Sequence, residues 1–128
     1  MTSIDISDIK QIGRTKNKYG VSAPSERTAR GRVYASKAEK QYADHLHSVP
    51  GLFIIEQPRV RLGEDHIYVP DFMVWRLADR TLWFIDVKGV ETSEFRKSKK
   101  LWAKYMSLTA KLEIIKLKNK QFMTTELI

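Results

Sequence analysis

Thr81-Leu82-Trp83-Phe84-Ile85-Asp86-Val87-Lys88 is the stretch on which the fold turns. Side chains alternate along a strand, so Trp83, Ile85 and Val87 face one way and Leu82, Phe84, Asp86 and Lys88 the other. Most of both faces is apolar, the pattern of a strand that sits centrally in a sheet. Asp86 and Lys88 are what an ordinary central strand does not need. Being two apart, they emerge on the same face.

Upstream, Leu77-Ala78-Asp79-Arg80 reads as a hairpin turn, which makes Ile67 to Trp75 the partner strand. Pro70 marks an edge or a bulge within it, and Asp71 follows at once. A short hairpin brings Asp71 alongside Asp86. Before it, Gly63-Glu64-Asp65-His66 is a turn. Leu52 to Leu62 carries strand-forming Phe53, Ile54 and Ile55, then Val60 and Leu62 alternating with Arg59 and Arg61. Pro58 predicts either two short strands there or one bent strand. A helix is predicted from Ser36 to about Ser48, with Ser36 as N-cap, Glu39 completing a capping box, and Tyr42, Ala43 and Leu46 on its apolar face. Pro50-Gly51 ends it.

Downstream, Ser93 is a plausible N-cap for a second helix. Phe95, Ser98, Trp102, Tyr105 and Thr109 share one face at helical spacing. Leu112 to Leu117 reads as a strand reached by a helical crossover, hence parallel to Thr81–Lys88. Thr124 to Ile128 reads as a final strand. The expectation is an α/β protein with a central mixed β-sheet flanked by helices.

The chain has 128 residues, 42% of them hydrophobic, enough for one domain with a core. It has no cysteine, which excludes disulfides, thiolate metal sites and a cysteine nucleophile. No apolar run is long enough to span a bilayer, so no membrane role is expected. The polar start Met1-Thr2-Ser3-Ile4-Asp5 lacks a signal-peptide pattern, and the expected location is cytoplasmic (host cytoplasm if phage-encoded). The net charge is +8, which fits an acidic partner such as DNA but does not by itself require one.

Residues 1–33 read as a basic, partly flexible arm, and 34–128 as the main domain. From Gly13 to Arg32, the basic Arg14, Lys16, Lys18, Arg27, Arg30 and Arg32 stand against Glu26 alone, while Ile4, Ile6, Ile9 and Ile12 offer a candidate dimer contact. Arg96, Lys97, Lys99, Lys100 and Lys104 lie on the second helix, directly after Lys88. Helical lysines are usually just solvated. Their nearness to Lys88 favours contact with a DNA backbone, extended by Arg59, Arg61, Arg30 and Arg32. No zinc-finger spacing or helix-turn-helix points to base readout.

Two carboxylates with a lysine suit a hard divalent cation, which takes oxygen ligands and keeps several waters. Such a cation lowers the pKa of a bound water and neutralises a scissile phosphate. Lys88 can hold the attacking water or offset charge on phosphorus. Each piece alone is ordinary: Asp-x-Lys is commonly a surface ion pair, Pro-Asp a turn, Glu39 a cap. Their order carries the signal.

In that order, Ser36-Lys37-Ala38-Glu39, Glu56-Gln57-Pro58, Tyr68-Val69-Pro70-Asp71-Phe72 and Ile85-Asp86-Val87-Lys88-Gly89 resemble the PD-(D/E)XK nuclease superfamily. The resemblance covers about residues 35–117. Within the superfamily the chain is most similar to small phage endonucleases, including Holliday-junction resolvase types, and to transposon end-cutting subunits. It implies a restriction-endonuclease-like core and a metal-dependent DNA endonuclease acting on branched DNA. It implies Mg²⁺, with Mn²⁺ able to substitute. Asp71 and Asp86 would be metal ligands, joined by the carbonyl of Val87. Lys88 would be the catalytic lysine, Glu39 a helix carboxylate approaching the metal directly or through water, Gln57 a supporting residue and Glu56 a weaker candidate.

The alternatives are a nicking or end-cutting nuclease of a repair, transposition or packaging complex, and a non-catalytic DNA-binding module on the same fold. Cutting two strands with one site per chain favours a homodimer. Asp65, His66 and Glu91 stand near the motif, and the sequence leaves open whether any joins it. His45, His47 and His66 read as surface or packing residues rather than metal ligands.

Overall fold

The computed structural model describes residues 22–128. The expectations for Ile4, Ile6, Ile9, Ile12, Arg14, Lys16 and Lys18 lie outside them. The chain divides into two compact units, Met1–Gln41 and Tyr42–Ile128.

In the first unit a 3-10 turn, Pro24–Arg27, leads into a small hairpin of β1 (Thr28–Ala29) and β2 (Arg32–Val33). Its turn is Arg30-Gly31, both with positive φ (51° and 73°). That geometry matches the twist of two antiparallel strands and suits glycine. Arg27 stabilises the hairpin by donating from Nε to the Ser22 carbonyl at 2.9 Å and from Nη1 to the Tyr34 carbonyl. Regular structure therefore begins before residue 34. The sequence gives no sign of it, because two-residue strands carry no periodicity. α1 (Lys37–Ser48) starts in this unit and ends in the second. Its cap is the expected one: Ser36 Oγ accepts from the Glu39 N–H at 3.0 Å.

The second unit is built on a five-stranded mixed sheet in the order β3 (Leu52–Glu56), β6 (Phe72–Arg76), β7 (Thr81–Val87), β8 (Lys111–Lys118), β9 (Gln121–Leu127). β7 is central, as its two apolar faces predict. It pairs antiparallel with β6 and parallel with β8. The crossover between β7 and β8 is α2 (Ser93–Tyr105). Thr92 rather than Ser93 caps it, accepting from the Phe95 N–H at 3.1 Å. Two adjacent hydroxyl residues place the expected cap one residue late.

The final strand begins three residues before the expected Thr124, and Thr109 lies beyond the end of α2. Proline accounts for two further departures. Pro58 separates β3 from β4 (Val60–Arg61). Pro70 divides the predicted strand Ile67–Trp75 into β5 (Ile67–Tyr68) and β6. A proline has no N–H for a ladder, so pairing stops at each. β4 and β5 then pair with each other as a separate ribbon.

The sheet face bearing Phe84 and Asp86 packs on α2. Trp102 meets Phe84 edge-on at 4.9 Å and Tyr68 at 6.0 Å between ring centroids. It also satisfies its indole N–H on the Ala110 carbonyl at 3.1 Å. Leu62, Phe95, Leu112 and Ile114 complete this core. Burying each large apolar side chain stabilises the fold by about 1.5–3 kcal/mol. On the opposite face Tyr42 packs against Phe72 and Phe122. Burial and the negative charge of Glu113 push its phenol up to about 12. No helix among the described residues is long and apolar enough to cross a membrane.

Candidate active site

The site lies where β7 ends. The β6–β7 register pairs Phe72 with Ile85. One residue further along both strands come Asp71 and Asp86, on the α2 face. Asp71 stands in the bend made by Pro70, and its side chain supplies the acceptor that broken pairing would otherwise lack. Asp71 Oδ2 accepts from the Val87 N–H at 2.7 Å. Its carbonyl accepts from the Gln57 N–H at 2.9 Å. Gln57 holds φ at +54°, so β3 turns away just after Glu56 while its backbone still grips Asp71. A non-glycine residue there costs about 1 kcal/mol. The surrounding pairing of β3 with β6 supports that conformation.

Asp86 is 1% exposed. A buried carboxylate is costly unless it is paired and hydrogen-bonded. Two groups meet that need. The Tyr68 hydroxyl donates to Asp86 Oδ2. Lys88 Nζ lies 3.3 Å from Oδ1, close enough for an ion pair. The alignment is poor, and Oδ1 remains buried without a hydrogen bond. Burial first, then the charge of Asp86 and the hydrogen bond to it, raise the Tyr68 pKa far above a phenol's ordinary value. Tyr68 is therefore a fixed neutral donor. The Lys88 ammonium also rests 4.4 Å from the centroid of the Phe95 ring, an attractive cation–π contact. Its backbone N–H donates to the Ile115 carbonyl at 2.9 Å, extending the parallel ladder past β7.

Asp71, Asp86, Val87, Lys88 and Gln57 thus gather at one end of the sheet. Glu39 is buried in the first turn of α1, in the other unit. Among the described residues no group of three or more His, Asp or Glu side chains is arranged to hold a metal ion. The second unit's donor set for a cation is two carboxylates plus backbone carbonyls. That set fits Mg²⁺, which leaves most of its coordination to water and substrate phosphate. The buried Oδ1 of Asp86 fits as well, being an anionic oxygen short of a donor.

Two of the residues near the motif have other occupations. His66 contacts α2, with Nε2 2.8 Å from Ser98 Oγ and Nδ1 3.5 Å from Glu94 Oε2. Glu91 binds Lys99 at 2.8 Å and Lys116 at 3.4 Å. Asp65 is exposed in the β4–β5 turn. Glu56 Oε2 lies 3.3 Å from His47 Nε2. His45 packs its ring against Tyr42.

The basic residues divide into two sets. Lys97, Lys100, Lys104, Arg59 and Arg61 are exposed. Arg61 donates to the Glu64 carbonyl at 2.9 Å and Arg96 to the Glu91 carbonyl at 3.0 Å, while Lys104 leans over the Tyr105 ring. Lys99 differs: its ammonium is gripped by Glu91 and, at 2.6 Å, by Glu126 on β9. Burial works against that charge, but the two carboxylates outweigh it and raise the lysine's pKa. Lys99 is thus a tie between α2 and β9. In the first unit, Arg30 donates to the Tyr34 hydroxyl at 3.0 Å and Arg32 is half-buried in β2.

Sequence reasoning passed over Tyr68 and Phe95 as functional residues. A signal for Tyr68 was present. A tyrosine in a strand three residues before a candidate ligand must satisfy its hydroxyl when buried, and a nearby carboxylate is the natural acceptor. Phe95 gave none, because its helical spacing reads only as core. No model of a known protein family matches the chain, and no curated protein matches it.

Proposed function

We propose that this chain is a metal-dependent DNA endonuclease with a restriction-endonuclease-like core, acting on branched DNA and encoded by a phage or mobile element. One observation carries the reading. A buried aspartate with an oxygen short of donors is paired to a lysine, beside a second aspartate held by the next strand's backbone. A surface ion pair would not be buried, and most buried polar groups with a structural role are hydrogen-bonded. The resemblance of the motif order to the PD-(D/E)XK superfamily implies the reaction class and the substrate class.

Asp71 and Asp86 would hold Mg²⁺ or Mn²⁺, with the Val87 carbonyl, and the ion would supply Lewis acidity to the phosphate and to the attacking water. Lys88 donates a hydrogen bond to the attacking water or to the non-bridging phosphate oxygen as charge builds there. The water oxygen bonds to phosphorus as the water gives up a proton to solvent, the opposite P–O bond breaks, and the leaving alkoxide takes up a proton from solvent. Glu39 keeps the helix-carboxylate role that the resemblance implies, and Glu39→Gln tests it by cleavage rate. Lys97, Lys100, Lys104, Arg59 and Arg61 neutralise backbone phosphates.

Incubation with a labelled four-way junction, linear duplex and supercoiled plasmid, in Mg²⁺, Mn²⁺ or EDTA, tests the reading. Junction cleavage that needs the cation is expected. Cutting in EDTA would remove the metal from the mechanism, and equal cutting of duplex and junction would remove the branch preference. Asp86→Ala and Lys88→Ala should each abolish cutting while junction binding persists. Binding without cleavage by the wild type under every condition would make the chain a binding module.

A further inference from the structure

We infer that Tyr68 is the positioning residue of this site: its hydroxyl holds Asp86 Oδ2 so that Oδ1 is presented to Lys88 and to a divalent cation. The inference rests on the endonuclease reading for its chemistry, but its geometry stands by itself. A carboxylate has two oxygens and a freely turning terminal torsion. Asp86 must keep one oxygen toward its ligand. Tyr68 removes the ambiguity, because a phenol at one oxygen leaves only the other for the ligand.

Tyr68 can do this because its ring is buried and packed against two other rings. It is 6% exposed and ends β5 immediately before the Val69-Pro70 break. Its ring lies edge-on to Trp102 at 6.0 Å and against Phe95 at 6.2 Å. Phe95 is the ring on which the Lys88 ammonium rests. One aromatic contact thus joins the support of the aspartate to the support of the lysine. A displacement of Tyr68 would disturb both ends of the Asp86–Lys88 pair. Groups that orient metal ligands in this way typically change metal affinity or activity by about 10–100-fold when removed.

The variant is Tyr68→Phe, which keeps the ring and deletes the donor. Mn²⁺ affinity is measured by electron paramagnetic resonance, with Asp86→Ala marking the signal that belongs to the site. Tyr68→Phe is expected to weaken that binding about 10-fold or more. Junction binding in EDTA should stay unchanged. Cleavage should recover towards the wild-type rate as Mn²⁺ is raised, which general structural damage would not allow. Unchanged Mn²⁺ affinity in Tyr68→Phe overturns the inference and leaves the endonuclease reading intact. Site-specific Mn²⁺ binding that weakens in Tyr68→Phe, in a wild type that cuts no DNA, overturns the endonuclease reading and upholds the inference. Should Tyr68→Phe not fold, ring-labelled tyrosine NMR of the wild type decides. Mg²⁺ should shift the Tyr68 signals, and Asp86→Ala should abolish the shift. Tyr68 signals that stay still at saturating Mg²⁺ count against the inference.

Discussion

Asp86 shows at a single residue what burying a charge demands of its neighbours. A carboxylate at 1% exposure is tolerated because Tyr68 donates to one oxygen and Lys88 neutralises the charge. Asp71 carries a lighter burden, since its carboxylate replaces a ladder partner for Val87. Glu91, a few residues away, pairs with Lys99 and Lys116. Its hydrogen bond to Lys99, supported by Lys116, holds its pKa below the ordinary glutamate value. A depressed folded-state pKa contributes stability above the unfolded value of about 4.3, and that contribution is lost as pH falls through the folded value. Glu91→Gln should therefore lower the unfolding free energy by the order of 1 kcal/mol at pH 7. The gap between variant and wild type should close towards pH 3. Urea melts at both pH values check this, and a gap as wide at pH 3 as at pH 7 would mean that the carboxylate is not the stabilising group.

Elements form here where their local chemistry is unambiguous, and split where proline intervenes. The β8–β9 hairpin turns on Asn119-Lys120, with φ of 50° and 63°. Two consecutive left-handed residues are the requirement of the tight hairpin turn, for which Asn-Gly is the best pair. Lysine at the second position costs about 1 kcal/mol in backbone strain. Lys120→Gly should relieve part of that and raise the urea midpoint, offset in part by glycine's greater freedom in the unfolded chain. An unchanged or lowered midpoint would show that glycine's freedom in the unfolded chain matches or outweighs the strain relieved. The same physics explains what could be read from the sequence. β7 was legible because seven residues of mixed apolar character admit one interpretation, and α1 because Ser36 and the Tyr42, Ala43, Leu46 stripe agree. The β1–β2 hairpin was not, because strands of two residues have no period, and Arg30-Gly31 looks like any loop. At the site, Asp71, Asp86 and Lys88 were legible as an ordered motif on adjacent strands. The Tyr68 support and the Lys99 ties were not, since both depend on which distant side chains the sheet brings together. Lys99 reads in sequence as one more DNA-contacting lysine of α2, and its structural role comes from Glu91 and from Glu126, 27 residues away.

Across the whole molecule the dominant quantity is charge: 23 basic against 15 acidic side chains. If the excess serves DNA, binding must weaken steeply with salt, because each neutralised phosphate releases condensed counterions. The slope of log affinity against log salt is about −0.9 per phosphate contacted on duplex DNA. Which lysines set that slope follows from their partners. Lys97 and Lys100 are exposed on α2, while the Lys99 ammonium is held between two carboxylates. Lys97→Ala with Lys100→Ala should reduce the magnitude of the junction-binding slope by about two, with little loss of stability. Lys99→Ala should do the reverse, leaving the slope nearly unchanged while lowering stability, because it strands Glu91 and Glu126 without their shared cation. Fluorescence anisotropy across a salt series, with urea melts of the same proteins, separates the two outcomes. A Lys99→Ala slope that falls as much as the double variant's would show that DNA displaces the carboxylates and recruits Lys99. The α2–β9 tie would then be a device that opens when nucleic acid binds.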